Sequence, residues 1–454
     1  MRTTSARGVL STLLVASVAL HGGEAFAGGT FSGIGTPTYG GTFAGSGERG
    51  ALGVAYNPAA AFSVTPEVLV DVGLLGSNYS ATLEGEPEFK MRSVDPVPFI
   101  AATTPLSNRL GLGFNIGAPY ARSGGGEPEP SQRFHSMGGG ILVVQADTTL
   151  SLRVTGGLAV GAGLTTAHVS ASSLKAIDTG EILYSLLGDE SLIGEPVLEG
   201  RTELLGAKSV GFGFTVGALY EHESGASASL SWRSPVDTYI RGKMVMTPST
   251  SFNLQLEGDL TGQIRLPTEV HGALTVPAGP ISLRGEFVWV SWSAIAETHA
   301  TVEDMVVVSD DPILRELLAS YGLSDPETLG DTQSVGFSGM ENVLALGGRV
   351  LWEGDGVSAQ VGGIYSPSAT PSSWVTPANI DFESIEVNLG GMKEIGNGLH
   401  VGGSLASIVI PDRVVTDSTA SWTTPPEIGP VAPSGNGTYK LSLWRVGTSL
   451  LYKF

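Results

Sequence analysis

Apolar and small or polar residues alternate along run after run of this chain from about residue 66 onward. Over 210–220, Val210, Phe212, Phe214, Val216, Ala218 and Tyr220 share one face, opposite Gly211, Gly213, Thr215 and Gly217. The next run sets Ala226, Ala228, Leu230 and Trp232 against Ser227, Ser229, Ser231 and Arg233. At 281–292, Ile281, Leu283, Phe287 and Trp289 oppose Ser282, Arg284 and Glu286. A period of two is the mark of β-strands. The bulky face suits lipid, and the small or polar face a narrow interior.

Two kinds of interruption separate these runs. Short turns are read at Leu106-Ser107-Asn108-Arg109, Val154-Thr155-Gly156-Gly157, 221–225, Pro277-Ala278-Gly279-Pro280, Glu353-Gly354-Asp355-Gly356 and Gly396-Asn397-Gly398. Long loops are read at 84–94, 119–138, 172–208, 236–252, 297–341, 368–382 and 412–437. Together they divide the chain into fourteen strands. Short turns at one end and long loops at the other, with an even strand number, predict an all-β, 14-stranded antiparallel transmembrane β-barrel over 66–454. Both termini then fall on the periplasmic side.

A soluble β-sandwich also alternates, so composition has to discriminate. Its polar face meets water and is rich in Lys and Glu, whereas here that face is mostly Gly, Ser and Thr. Gly makes up 64 of 454 residues and charged residues only 15%, against roughly 7% and about 25% in ordinary globular chains. Both departures favour a barrel with one face in lipid. The net charge of −20 argues against a nucleic-acid partner, which needs clustered Lys and Arg. With no cysteine, disulfides, thiolate metal sites and a lipoprotein anchor are excluded.

The N-terminus reads as an export signal. Arg2 and Arg7 precede an apolar run over 9–20, and Ala25-Phe26-Ala27 supplies a cleavage site before Gly28. The run is a dozen residues, short of the roughly 20 that a spanning helix needs, so residues 1–27 are expected to be a signal peptide. Residues 28–65 are then expected to form a hatch in the barrel lumen. The glycine- and alanine-rich stretch 41–62, ending near Asn57-Pro58-Ala59, suits a compact irregular plug, anchored by those three residues at the periplasmic mouth.

Catalytic chemistry finds little support. Gly111-Leu112-Gly113-Phe114-Asn115-Ile116-Gly117 and 211–217 superficially resemble nucleotide loops, but their glycines lie inside strands with the wrong spacing and no Walker lysine. The histidines of the expected mature chain are scattered without an H-x-x-x-H pair, and no G-x-S-x-G elbow occurs. His168 beside Ser170 reads as a residue near a membrane interface. No catalytic, metal or cofactor site is expected. Acidic loop residues such as Asp189-Glu190, Glu303-Asp304 and Asp310-Asp311 read as solvated, with cation bridges to lipopolysaccharide as the other reading. Arg284 and Glu286, two apart on an inward face, read as a luminal charge pair that braces the wall or meets a ligand carboxylate. Helices are expected at 182–187 and from Asp311, as N-cap, through Pro312 to Ala319, with Leu314, Leu317 and Leu318 on one face.

At the C-terminus, Leu450, Tyr452 and Phe454 alternate to a terminal aromatic. Final strands of this kind are read by the outer-membrane assembly machinery, and the outward aromatics settle in the interfacial girdle.

The chain resembles the FadL-type outer-membrane transporters of long-chain fatty acids and aromatic hydrocarbons. The resemblance is carried by the hatch segment with Asn57-Pro58-Ala59, by Pro98 and the run from Leu110 through Gly113 to Ala118-Pro119-Tyr120, and by Gly161-Ala162-Gly163-Leu164. It continues through 211–214 into Leu230-Ser231-Trp232-Arg233-Ser234-Pro235-Val236-Asp237, then Leu266-Pro267, Trp289 to Trp292-Ser293, Tyr365-Ser366-Pro367 and Tyr452-Lys453-Phe454. It implies passive uptake of long-chain fatty acids or other hydrophobic small molecules across the Gram-negative outer membrane. It also implies lateral release through a gap in the wall beside an inward kink of the third strand, for which Gly111, Gly113 and Gly117 are the candidates. Lipid, lipopolysaccharide and the assembly machinery are the expected partners. The alternative is a structural or adhesive surface barrel with a closed lumen. An open porin is disfavoured, since it would line its pore with charge and need no plug.

Overall fold

The computed structural model describes residues 47–125, 137–309, 327–419 and 435–454, apart from 86, 181–183, 185–187, 250–253, 296, 338 and 378–379, and also Glu316. The expected signal peptide, the first part of the expected hatch and most of both expected loop helices lie outside these residues.

Fourteen strands close into one antiparallel barrel. They are β1 (Glu67–Leu83), β2 (Phe89–Pro105), β3 (Leu110–Gly125), β4 (Gly138–Arg153), β5 (Leu158–Asp178) and β6 (Glu199–Glu221). The next four are each broken once: β7 (Ser227–Arg233 and Val236–Thr247), β8 (Leu254–Leu266 and Glu269–Ala278), β9 (Ile281–Val290 and Glu297–Ser309) and β10 (Glu327–Phe337 and Val343–Gly354). Then come β11 (Val357–Ser366), β12 (Ser384–Gly396), β13 (Leu399–Val409) and β14 (Gly437–Lys453), which pairs along its whole length with β1 and closes the ring. Closure pairs the backbone around the ring, which lipid requires, except where β2 and β3 part beyond Ile100↔Ile116.

The alternation sets the two faces as its chemistry requires. Val210, Phe212, Phe214, Val216 and Tyr220 point outward, with Phe212 74% exposed, while Gly211, Gly213, Thr215 and Gly217 face in. Leu283 and Leu230 are likewise outward, and Arg284, Glu286 and Ser231 are buried inside. Charge therefore accumulates in the lumen and apolar surface on the lipid side.

The short turns fall where the sequence puts them, within a residue or two. The long loops are shorter than expected because strands run on past the lipid. Most of 236–252 is strand of β7, and most of the described part of 297–341 is strand of β9 and β10. The polar composition of these stretches signals departure from the membrane, which is not the end of pairing. The breaks in β7 to β10 lie close together: the Ser234 hydroxyl accepts from Phe214 N at 2.9 Å, and the Ser291 hydroxyl from Thr268 N at 3.0 Å. At the β9 break Trp292 turns inward, is completely buried and meets Tyr120 edge-on at 5.7 Å.

Candidate functional site

The wall is not uniformly sealed. β2 pairs with β1 from Ala81↔Phe89 to Glu67↔Thr103, but with β3 only from Ile100↔Ile116 to Pro105↔Gly111. Beyond Ile116, β3 stays on β4, so β2 and β3 part over their long-loop halves. The β3–β4 register shifts between Gly117↔Gln145 and Tyr120↔Val143, where three steps on β3 match two on β4. That is a β-bulge at Ala118-Pro119.

Three prolines account for the parting. Pro119 sits in the bulge, where a missing donor is tolerated. On the other side, the β1–β2 ladder runs unbroken through Leu74↔Pro96 and Val72↔Pro98. It can do so only if these are non-hydrogen-bonded pairs, which turns both proline nitrogens toward the β3 edge. That edge therefore lacks two donors where it faces the gap.

A cavity of about 860 Å³ occupies the gap. Its lining includes the inward side chains of Leu75, Tyr79, Met91 and Leu441, and also Pro96, Pro98 and Leu142, which belong to the outer face. Lining from both faces means that the cavity crosses the wall. It is largely apolar, with a polar strip in which Ser77 and Ser93 hydroxyls lie 2.8 Å apart and Ser93 donates to Asp95 at 2.7 Å.

The loop at 367–383 closes the cavity toward the long-loop end. Ile380 and Phe382 line it and join Tyr79, Phe89, Val375, Tyr439 and Leu441 in one apolar cluster. Arg413 holds the loop by donating to Ser368 Oγ at 2.7 Å, to Thr370 O at 2.5 Å and to Asp381 O. Burial lowers the Arg413 guanidinium below its usual range, with nearby Asp381 opposing the shift.

The described N-terminal segment packs on the inner face at the opposite end. Asn57 caps the 3₁₀ turn Pro58–Ala61 by accepting from Ala59 N at 2.9 Å and ties it to the wall by donating to Ala218 O at 2.9 Å. Ser231 Oγ donates to Tyr56 O at 2.6 Å, and Arg233 to Ala55 O at 2.9 Å. Wall glycines make the fit. A Cβ on Gly161 would collide with the backbone of Pro58 and Ala59, one on Gly217 with Asn57, and ones on Gly111 and Gly113 with Ala61. Gly111 and Gly113 thus make room for this segment and stay in unbroken register with Ser151 and Thr149 of β4. Of the three candidate glycines, only Gly117 borders the bulge.

Arg284 and Glu286 both lie buried inside, and each has its own described partner. Arg284 meets Glu48 of the N-terminal segment at 2.8 Å and donates to Thr275 at 3.0 Å. Glu286 accepts two bonds from Arg349, at 2.6 and 3.0 Å. Arg349 continues to Asn388 at 2.9 Å, Asn388 to Glu386 at 3.1 Å, and Arg445 to Glu386 at 3.4 Å. A second network joins Tyr120, beside the bulge, to Glu269, which His271 meets at 2.9 Å; Arg233 lies 3.9 Å from Glu269 and 3.2 Å from Asp147. Sequence reasoning set Arg233 on the inward face without giving it a role, and missed Arg349, Glu386 and Arg445. The signal was present, since each falls on the inward phase of its strand where charges are rare.

Residues 12–310 match the family model described as outer membrane protein transport protein (OMPP1/FadL/TodX). The chain belongs to this family. FadL/TodX proteins are outer-membrane channels for hydrophobic compounds. No curated protein sequence matches the chain. Among solved structures, a Pseudomonas aeruginosa FadL homologue is similar at 14% identity and a TM-score of 0.70, covering 93% of this chain and 98% of its own. The Pseudomonas putida toluene transporter TodX is similar at 12% identity and 0.63, covering 88% and 92%. The Ralstonia pickettii toluene transporter TbuX gives 14% and 0.60, with 93% and 99% covered. These likenesses bear on the fold.

Proposed function

We propose that this FadL/TodX-family protein passes hydrophobic small molecules such as long-chain fatty acids down their gradient and releases them sideways into the membrane between β2 and β3. The observation that carries this reading is the cavity whose lining belongs to both faces of the wall. A ligand seated there touches Tyr79, Leu441 and Phe382 on one side and Pro96 and Pro98 on the other, without crossing the charged lumen below. Residues 28–65 act as a hatch that keeps that lumen closed to water, with Asn57-Pro58-Ala59 as its anchor. Residues 1–27 are removed as a signal peptide before Gly28. Leu450, Tyr452 and Phe454 present the outward ridge that the assembly machinery reads; Tyr452 and Phe454 stack edge-on at 4.6 Å.

Uptake of labelled oleate and of toluene is measured in cells with and without the gene. Faster uptake of at least one solute with the gene is the expected result. Equal uptake across a panel of apolar solutes would overturn the transport reading in favour of a structural or adhesive barrel.

A further inference from the structure

A hydroxyl carries one hydrogen, so its partners decide what it has left to offer. Along the polar strip of the cavity, Ser93 gives its hydrogen to Asp95 at 2.7 Å. The 2.8 Å contact between Ser77 and Ser93 is then made by the Ser77 hydrogen. Two residues on along the inward phase of β1, the Tyr79 hydroxyl donates to Pro377 O at 3.3 Å. Each of these hydroxyls spends its donor inside the protein and keeps lone pairs for the cavity it lines. The β2 backbone adds to this. In an antiparallel strand the N and C=O of one residue point to the same side, so Pro96 and Pro98, whose nitrogens turn toward β3, present their carbonyls there as well. Pairing of β2 with β3 ends at Ile100↔Ile116, and neither carbonyl has a ladder partner on β3. The β1–β2 side of the cavity is therefore a surface of acceptors. Arg92, Ser170 and Ser172, which can donate, line the cavity from the outward phase of their strands, at its lipid-side mouth.

We propose that this side of the cavity seats the hydroxyl of a neutral hydrophobic molecule, such as an alkylphenol or a long-chain alcohol, and selects cargo by the hydrogen that the cargo donates. The inference rests on the transport reading and narrows it. A cargo O–H gives its hydrogen to Ser77, Ser93 or a proline carbonyl, while its hydrocarbon part lies against Leu75, Leu441 and Phe382. An ether of the same size brings only another acceptor, which displaces water from the strip without replacing its hydrogen bonds. A carboxylate does the same and adds a charge like that of Asp95. A long-chain acid takes the seat as the neutral acid, whose own O–H donates.

Equilibrium dialysis of tritiated 4-octylphenol and of its methyl ether, 4-octylanisole, against the full-length barrel in detergent tests this. The wild type should bind the phenol about fivefold to tenfold more tightly than the ether, the worth of one neutral hydrogen bond. Ser93→Ala should lose that preference and Ser93→Thr, which keeps the hydroxyl, should retain it. Asp95→Ala releases the Ser93 hydrogen, so the strip can donate to the ether, and the two ligands should then bind within about twofold of each other. Heat-modifiable gel migration confirms that each variant is folded. Equal affinity of the wild type for phenol and ether, or a preference that survives in Ser93→Ala, would overturn the proposal and leave the transport reading standing. Binding of neither ligand, together with equal uptake in cells with and without the gene, would overturn both.

Discussion

At the scale of single residues, the glycines of the wall are of two kinds. Most alternate with lipid-facing side chains and give no individual sign of their purpose. Gly161 and Gly217 are different: the turn around Asn57 and Pro58 occupies the space a Cβ would need. Gly161→Val should leave the barrel folded but lift the N-terminal segment from its seat. In planar bilayers the variant should conduct where the wild type stays closed; a closed variant would show that this contact does not seat the segment. Buried charges make a second residue-scale case. Arg349→Ala would strand Glu286, completely buried on its side chain, and losing one partner of a buried pair typically costs about 3–5 kcal/mol. A lower unfolding temperature on heat-modifiable gels is expected, and an unchanged one would mean that the network is not structural. The inward period made Arg284 and Glu286 legible in the sequence. Which residues they pair with was not legible, because pairing across β9, β10 and β12 depends on register, and the segment carrying Glu48 shows no period at all.

Among the elements, β3 was expected to bend at Gly111, Gly113 or Gly117, and its register on β4 shifts between Gly117 and Tyr120. Gly111 and Gly113 lie in unbroken register with Ser151 and Thr149 on β4, so their flexibility is not used to bend the strand. The extra residue enters at Ala118-Pro119, and the partner edge is disarmed by Pro96 and Pro98. A proline in a strand is a signal for an edge or bulge, and all three were visible in the sequence as positions that a continuous wall does not tolerate. Pro96→Thr/Pro98→Thr restores two donors and should let β2 pair further along β3. Hydrogen exchange at Ala118, Tyr120 and Ala121 should slow, and uptake should fall several-fold. Unchanged exchange at those amides would show that the prolines do not hold the strands apart. The long loops were the least legible elements, because strand pairing in β7 to β10 continues outside the lipid, where the lipid-face pattern that revealed the strands is lost.

Over the whole molecule, the sequence was most informative where lipid enforces it. Strand number, facing and turn order follow from the need to pair every backbone group and expose only apolar side chains. The interior obeys no comparable rule, and its division into a charged network on one wall and an apolar cavity at the gap emerges only from the closed ring. On the proposed function, that division gives the molecule its direction: water and ions would meet the packed N-terminal segment and its ion pairs, while an apolar solute would meet a cavity lined from both faces of the wall. The central claim, that cargo leaves between β2 and β3, is tested most directly by bridging the gap. Pro98 and Ala118 both line the cavity and lie two steps beyond the last pair, Ile100↔Ile116, and the chain has no cysteine of its own. With Pro98→Cys/Ala118→Cys joined by a reducible thiol cross-linker, labelled oleate uptake should drop to the level of cells lacking the gene and recover on reduction. Uptake that continues unchanged through the bridged barrel would contradict the account.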